Sequence, residues 1–303
     1  MSQKFFQTEI NPYLKRLEII TNKKVGEIFA GNYKSSFKGR GIEFAELREY
    51  EAGDDVKDID WSAFAKEGKP FIKKYQESRQ LNTFLICRIR ESLHFTSMKK
   101  SKAEVMLQLA AILIFSAFKN NDQFGSFIFS KNLQSFIKSK KSYGQVMKIL
   151  KMLFLSLQKE KKFSISLNNK IKPWDFFLKI RKPRGICFYL SDDINEEDKY
   201  YLRLLNKKHD LVFFHLLDPL EKGIFPTKVK NIFITDFKNK QQRIFIDFSN
   251  QKLAQEFKKI RLQRLEEIKK FCLKLKIDRL EIKTNDNLYQ KLLKFFHLRQ
   301  RHY

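Results

Sequence analysis

The residues best able to do chemistry are carboxylates gathered in one stretch of the chain. Between positions 41 and 68, nine acidic residues stand against three basic ones, although the whole chain carries a formal net charge of +27. Asp54, Asp55, Asp58 and Asp60 form the densest group. Clustered carboxylates of this kind can hold a divalent metal or act as general acid and base. One hypothesis is therefore a hydrolytic site in this stretch.

The same carboxylates also suit a structural role. Aspartates form turns and cap helices, and here they have Arg40, Arg48 and Lys66 as candidate ion-pair partners. The five histidines show no triad or metal-ligand spacing, and the sequence contains no phosphate-binding glycine loop and no nucleophile elbow. We therefore favour the structural role and expect no enzymatic activity and no cofactor.

Composition gives further expectations about location and redox state. The three cysteines, Cys87, Cys187 and Cys272, are far apart, which predicts buried thiols and no disulfide framework. The N-terminus lacks the apolar segment of a signal peptide, and the longest apolar run, 107–118, is well short of the ~20 residues that span a bilayer. We expect a cytoplasmic protein.

The positive charge raises a second functional hypothesis. Residues 131–183 carry 14 lysines and arginines against Glu160 and Asp175. A basic region of this kind can bind the phosphates of a nucleic acid, with an affinity that falls as salt rises. The excess of lysine is spread over much of the chain, however, so drift of solvated positions towards lysine explains it as well.

The pattern of apolar residues predicts an α/β fold beyond residue 81. Short apolar strands alternate there with helices, which is typical of a mostly parallel sheet with helices on both faces. The predicted strands are 82–89, 124–129, 185–190, 211–217, 232–235, 243–248 and 279–283, and the predicted helices are 101–118, 145–157, 195–208, 250–275 and 286–300. Ligands of such sheets sit outside the carboxyl ends of the strands. The corresponding loops are 88–100, 130–143, 191–195 and 218–228.

A smaller module precedes this sheet. Residues 12–30 read as an amphipathic helix. Within the acidic stretch we predict a strand at 46–50, a turn at 52–55, a short helix at 58–66 and an extended segment at 71–75. Asp58 is the expected N-cap of the short helix, and Gly68 its end. The predicted domains are thus 1–80 and 81–303, the second with a C-terminal helical extension.

The stretch GRGIEFAELREYEAGDDVKDIDWSAFAKEGKPFIKKYQE resembles the signature region of the bacterial family named domain of unknown function 58. YLSDDI, LLDPLE and the C-terminal segment fit the same family. The signature positions, which are also candidate interaction residues, are Arg40, Glu43, Arg48, Tyr50, Gly53, Asp54, Asp55, Asp60, Trp61 and Lys66. The resemblance implies a von Willebrand factor A-like fold. It also implies an accessory or adaptor role with a MoxR-type AAA+ ATPase, and with other von Willebrand factor A proteins as further partners.

Von Willebrand factor A-like domains typically bind Mg²⁺ through an Asp-x-Ser-x-Ser motif at the end of their first strand, with a Thr and an Asp from other loops. Here Arg88 and Arg90 stand at the Asp and first Ser positions, and Ser92 alone matches. Asp192 is the candidate second carboxylate, and Ser139 and Ser142 are candidates for the remaining hydroxyl. Because a guanidinium offers no lone pair, we predict a degenerate, metal-free site in which Arg88 or Arg90 pairs with Asp192. The alternative is that both arginines are solvated loop residues.

Overall fold

The computed structural model describes residues 43–51, 54, 59–76, 81–158, 172–180, 183–222, 231–235, 243–247 and 251–300, together with Pro12, Lys15, Leu17 and Ile19. The chain divides into two compact units, Lys38–Leu81 and a larger unit of Met1–Phe37 with Asn82–Tyr303. The predicted domain boundary at residue 80 therefore falls beside the end of the small unit, but the first 37 residues group with the larger one. Leu17, in this N-terminal segment, is helical and buried.

The larger unit is built on a six-stranded sheet. Its strands are β3 (Asn82–Arg88), β4 (Gln123–Phe129), β5 (Leu133–Lys140), β6 (Ile186–Ser191), β7 (Asp210–Leu217) and β10 (Asp278–Lys283). They lie in the order β10-β7-β6-β3-β4-β5, and every neighbouring pair is parallel except β4 with β5. This confirms the predicted α/β class with a mostly parallel sheet. The predicted hairpin is the antiparallel pair β8 (Asn231–Thr235) and β9 (Arg243–Asp247).

Strand β5 corrects the sequence prediction, which treated 130–143 as a loop. Its side chains alternate between buried and more exposed positions, and three of the more exposed ones are the polar Gln134, Lys138 and Lys140, because it is an edge strand with one partly solvated face. It therefore lacks the continuous apolar run that marks the central strands, all of which are buried on both faces.

Helices cover both faces of this sheet. They are α2 (Lys102–Lys119), α3 (Tyr143–Leu157), α4 (Pro173–Lys179), α5 (Glu196–Lys208), α6 (Gln251–Lys274) and α7 (Leu288–Gln300). One face packs Phe84, Tyr189 and Phe213 in a common core with residues of α4, α5 and α6. On the other face, Phe124 contacts α2 through Phe118, and Phe214 contacts α7 through Phe295. None of the helices that the structure describes is long and apolar enough to cross a membrane.

Helix α4 was absent from the sequence prediction, because seven residues are too few to show a helical period. It begins with a proline at its first turn and places Trp174 fully inside the core, stacked on Tyr201 at 5.6 Å. The larger predicted helices are confirmed within a few residues at each end.

The small unit pairs β1 (Glu43–Glu49) with β2 (Phe71–Gln76) in antiparallel fashion around the short helix α1 (Trp61–Glu67). Helix α1 starts later than predicted, and Asp60 caps it by accepting a hydrogen bond from the Ala63 N–H at 3.3 Å. Gly68 ends it as expected, with a φ of +68° that favours glycine.

The approach of β6 to β3 predicts a strong effect of Gly185→Ala. A Cβ on Gly185 would lie 2.0 Å from the backbone oxygen of Asn82, so the two strands would have to separate. We expect the free energy of unfolding in urea to fall by about 1–3 kcal/mol or more. Gly144→Ala is the matched control, because no atom lies within 4 Å of its new Cβ in helix α3. It should gain up to about 1 kcal/mol. Equal effects of the two changes would contradict this packing.

Candidate functional site

Three neighbouring parallel strands bring the four residues Arg88, Arg90, Ser92 and Asp192 of the predicted degenerate site to one edge of the sheet. Strands β3, β6 and β7 lie side by side, so the segments that follow their carboxyl ends are adjacent. The first carries Arg88, Arg90 and Ser92, the second carries Asp192, and the third carries Asp218. This is the edge where ligands of open α/β sheets bind.

Lys102 supplies the closest positive charge to Asp192. Ser101 caps helix α2 at this edge, so Lys102 is the first helical residue, and its side chain is buried. Its Nζ lies 3.0 Å from Asp192 Oδ2 and 3.0 Å from Glu221 Oε1. Ser92 Oγ donates a hydrogen bond to the same Asp192 oxygen at 2.5 Å. An ammonium group therefore occupies the space between these oxygens.

Lys102 and Asp192 each stabilise the charged form of the other. Burial alone would lower the pKa of Lys102, but the charges of Asp192 and Glu221 outweigh it and raise that pKa above its ordinary value. Burial alone would raise the pKa of Asp192, but the charge of Lys102 and the hydrogen bond from Ser92 hold it below its ordinary value. Lys102 and Asp192 are therefore both charged at neutral pH.

The two arginines of the predicted degenerate motif find a different main partner. Arg88 Nη1 lies 2.7 Å from Asp198 Oδ1, and Arg90 Nη2 lies 2.8 Å from Asp198 Oδ2. Trp174 Nε1 donates to the same carboxylate at 2.9 Å. Arg90 Nε stands 3.9 Å from Asp192 Oδ1, which is too far for a hydrogen bond. The expected pairing with Asp192 is thus a distant contact of Arg90, and Arg88 does not contribute to it.

Helix α6 closes the same edge with two more arginines. Arg261 Nη2 lies 2.7 Å from Glu221 Oε1. Arg264 approaches Asp193 Oδ1 to 3.1 Å and donates to the backbone oxygen of Ile194 at 2.6 Å. Each carboxylate of this region, counting Asp192, Asp193, Asp198 and Glu221, therefore has a basic side chain of the chain itself within 3.1 Å.

Asp218 is held by hydroxyl and amide groups. Its carboxylate accepts the Ser97 backbone N–H at 2.9 Å, the Ser97 hydroxyl, and the Leu220 N–H at 3.0 Å, with Thr284 Oγ1 at 3.4 Å. These hydroxyls were not predicted from the sequence.

The two serines proposed as a missing site hydroxyl lie elsewhere. Ser142 caps helix α3 by accepting from the Gln145 N–H at 3.2 Å. Ser139 precedes Lys140, which pairs with Phe124 at the start of β4. Both belong to the opposite end of the sheet, because β5 runs antiparallel to β4.

His215 lies near the carboxyl end of β7 and belongs to the core. Its Nε2 lies 3.1 Å from the backbone oxygen of Asp192, which fixes the ring, and it stacks on Phe213 at 5.0 Å. Burial, followed by the charge of Arg279, lowers its pKa to about 3, so it is neutral at physiological pH. A fully buried imidazole has no access to a substrate.

The described residues of the acidic stretch 41–68 make local structural contacts. Arg48 Nη2 lies 2.6 Å from Asp54 Oδ1 and holds the pKa of Asp54 below its usual value. The other oxygen of Asp54 accepts the Glu51 N–H at 3.0 Å, and Asp60 caps α1. These contacts favour the structural interpretation over a hydrolytic site.

The other signature positions are only partly described. Arg40, Gly53, Asp55 and Asp58, with the side chains of Glu43 and Lys66, lie outside the described residues. The Tyr50 N–H donates to the Pro70 oxygen at 2.9 Å. Trp61 is 62% exposed and packs edge-to-face on Phe64, which is 41% exposed, at 6.1 Å. This aromatic pair is the exposed part of the signature.

A divalent metal does not fit the sheet-end site. Lys102 already stands between the oxygens that a metal would need, and Arg90 lies close by. Within the described ranges, no three His, Cys, Asp or Glu side chains are grouped so that they could hold a metal. The three cysteines are buried, and burial raises the pKa of Cys272 to about 11.

Sequence reasoning missed Lys102, Asp198 and Glu221. For Lys102 a signal existed, because a lysine directly after a helix N-cap opposes the helix dipole and calls for a compensating anion. Asp198 forms a capping box with Asn195, and that local role gives no indication that Asp198 also pairs with Arg88 and Arg90.

Comparison with known proteins identifies the family. The family model described as "Protein of unknown function DUF58" matches residues 46–266. The chain belongs to the DUF58 family. Uncharacterized protein Rv1480 of Mycobacterium tuberculosis and uncharacterized protein Mb1516 of Mycobacterium bovis are each 23% identical to it over 207 residues. The match covers 68% of this chain and 64% of the mycobacterial proteins, so the chain spans less than two thirds of their length.

Two solved structures are similar to this DUF58 protein. One is the conserved hypothetical protein BatB from Bacteroides thetaiotaomicron, with 13% identity and a TM-score of 0.43, covering 73% of this chain and 99% of that one. The other is an aerotolerance-related membrane protein from Bacteroides fragilis, also at 13% and 0.43, covering 74% and 100%.

The buried ammonium predicts a large effect of Lys102→Met. Removing it leaves the buried Asp192 without its closest positive charge, so the free energy of unfolding at pH 7 should fall by about 3–5 kcal/mol. The exposed Lys294→Met is the control and should change it by less than about 0.5 kcal/mol.

The deficit of Lys102→Met should also depend on pH. In the native protein the pKa of Asp192 is below 3.8, so its contribution is present above pH 3.8 and is lost as the pH falls through the lowered pKa. Without the ammonium, burial raises that pKa, and the folded variant gains protons. The deficit should therefore grow as the pH rises from about 4 to 7. A deficit independent of pH would contradict this assignment.

Proposed function

We propose that this DUF58 protein is a non-enzymatic, cytoplasmic accessory or adaptor protein that works with a MoxR-type AAA+ ATPase in the assembly or remodelling of other proteins. The observation that carries the proposal is the state of the sheet edge. Its carboxylates Asp192, Asp193, Asp198 and Glu221 are paired with basic side chains of the chain itself. A group held in this way is neither a free base nor a free metal ligand.

The partner itself is inferred from family resemblance, and the exposed signature aromatics offer it a binding surface. Trp61 and Phe64 lie on the same side of helix α1, which is fixed at its start by Asp60 and at its end by Gly68. A rigidly held, exposed tryptophan is a typical anchor of protein–protein interfaces. We therefore propose this pair as part of the contact with the ATPase.

The adaptor proposal predicts a direct complex. The purified protein should bind the MoxR-type ATPase of the same cell in biolayer interferometry. A Trp61→Ala/Phe64→Ala variant should bind at least about tenfold more weakly, since interface tryptophans contribute about 2 kcal/mol or more. The matched control is Leu262→Ala/Leu273→Ala, which removes two equally exposed apolar side chains from helix α6.

The control should change the affinity by less than about twofold. No binding by the wild-type protein would count against the adaptor role itself. If wild type and the aromatic variant bind with equal affinity, the ATPase is still the partner, but the proposed binding surface at Trp61 and Phe64 is rejected.

We further propose that the site works without a metal, with Lys102 as a built-in cation. The ammonium lies against Asp192 and Glu221 and beside Ser92, which are the oxygen types that Mg²⁺ prefers. A cation carried by the fold makes the site insensitive to metal supply.

Electron paramagnetic resonance of added Mn²⁺ tests this. Wild-type protein should show no Mn²⁺ binding that depends on Asp192, so the spectrum of added Mn²⁺ should be the same with wild-type protein and with Asp192→Ala. The Lys102→Ser variant frees the oxygens and should bind Mn²⁺, whereas Lys102→Ser/Asp192→Asn should not. Binding by the wild type that Asp192→Ala removes would reject the metal-free proposal.

A further inference from the structure

A basic cavity lies at the other end of the sheet. Its volume is about 330 Å³, and its described lining residues are Arg184, Lys207, Lys208 and His209. Arg184 comes just before β6, and His209 comes just before β7. Since β6 rises by roughly 3.3 Å a residue, the cavity is on the order of 20 Å from Asp192. It is therefore separate from the site at the carboxyl ends of the strands.

Strand pairing places these cations together. Ile186 pairs with Asp210 in the parallel register, and the Asp210 N–H donates to the Gly185 oxygen at 3.0 Å. This contact sets Arg184 beside His209, where helix α5 ends. The backbone that carries Arg184 and His209 is therefore held in place by the pairing of β6 with β7.

The charges of the cavity lack compensation within the described part of the chain. None of the described carboxylates lines it, and Arg184, Lys207 and Lys208 form no ion pair with a described residue. The neighbouring Asp210 carboxylate forms an ion pair with Arg299 Nη2 at 2.5 Å, and Arg299 Nε forms a second ion pair with Asp278 at 2.9 Å. At the other end of the sheet, by contrast, the described carboxylates Asp192, Asp193, Asp198 and Glu221 are paired with basic side chains.

Helix stabilisation accounts for only part of this cluster. Lys207 and Lys208 stand in the last turn of α5, where a positive charge complements the helix dipole. His209 is the C-cap of the same helix, whereas Arg184 lies outside it, and the dipole gives no reason for the position of Arg184. Like charges drawn into one cavity repel one another, so the arrangement is stabilised when an anion enters.

We propose that this cavity binds a phosphate-bearing anion with at least two negative charges. Arginine matches phosphate oxygens with two parallel hydrogen bonds, and lysine adds point charges. The volume suits a small phosphorylated molecule. The same chemistry is offered by a free oligophosphate and by the phosphodiesters of a single-stranded nucleic acid. The cavity lies outside the basic region 131–183 considered from the sequence.

Calorimetric titration of the full-length protein with inorganic tripolyphosphate at constant ionic strength tests the proposal. The variant is Arg184→Ser/Lys207→Ser/Lys208→Ser. The matched control, Lys258→Ser/Lys259→Ser/Lys294→Ser, removes the same charge from exposed positions on α6 and α7. Far-UV circular dichroism and urea unfolding verify that both fold, and Lys207→Ser/Lys208→Ser serves as a milder second variant.

The wild type should bind saturably, and the cavity variant at least about tenfold more weakly, because it loses several charge-assisted hydrogen bonds. The control should stay within about twofold. Equal weakening in both variants, or no saturation in the wild type, would overturn the proposal. Competition by a single-stranded oligonucleotide that depends on the cavity residues would identify nucleic acid as the source of the phosphate, and its absence would identify a free anion.

Discussion

The ion group of Lys102, Asp192 and Glu221 is the constraint on which the rest of the larger unit depends. Burying three charges has a desolvation cost of several kcal/mol for each, which is offset only when every charge has close partners. Those partners come from the start of helix α2, the end of β6 and the turn after β7. Three segments that are distant in the chain must therefore be placed accurately for any of them to be stable.

This constraint also explains the chemistry of the carboxyl edge. Five cationic side chains, Arg88, Arg90, Lys102, Arg261 and Arg264, surround four carboxylates there. The compensating charge is therefore covalently part of the chain.

The two ends of the sheet differ in whether their charged side chains have described partners of opposite charge. At the carboxyl ends of the strands, Asp192, Asp193, Asp198 and Glu221 each lie beside a basic side chain of the chain itself. At the amino ends of β6 and β7, cations converge on an open cavity without described carboxylates. Part of the excess charge of +27 is thus organised by the fold, although the sequence alone gave no reason to distinguish it from solvated lysine.

The sequence by itself determined the elements and the family. The helix starts predicted at 101 and 195 coincide with the N-caps of α2 and α5, and the apolar runs located the central strands, because caps and strand burial depend on neighbouring residues. The half-exposed edge strand β5 and the seven-residue α4 gave signals too weak for such patterns. Only the tertiary structure decided that Asp192 pairs with Lys102, 90 residues away, and that Arg88 and Arg90 pair with Asp198. The reason is physical: a charge selects its partner by distance and burial, and both are set by the crossovers between strands rather than by spacing along the chain.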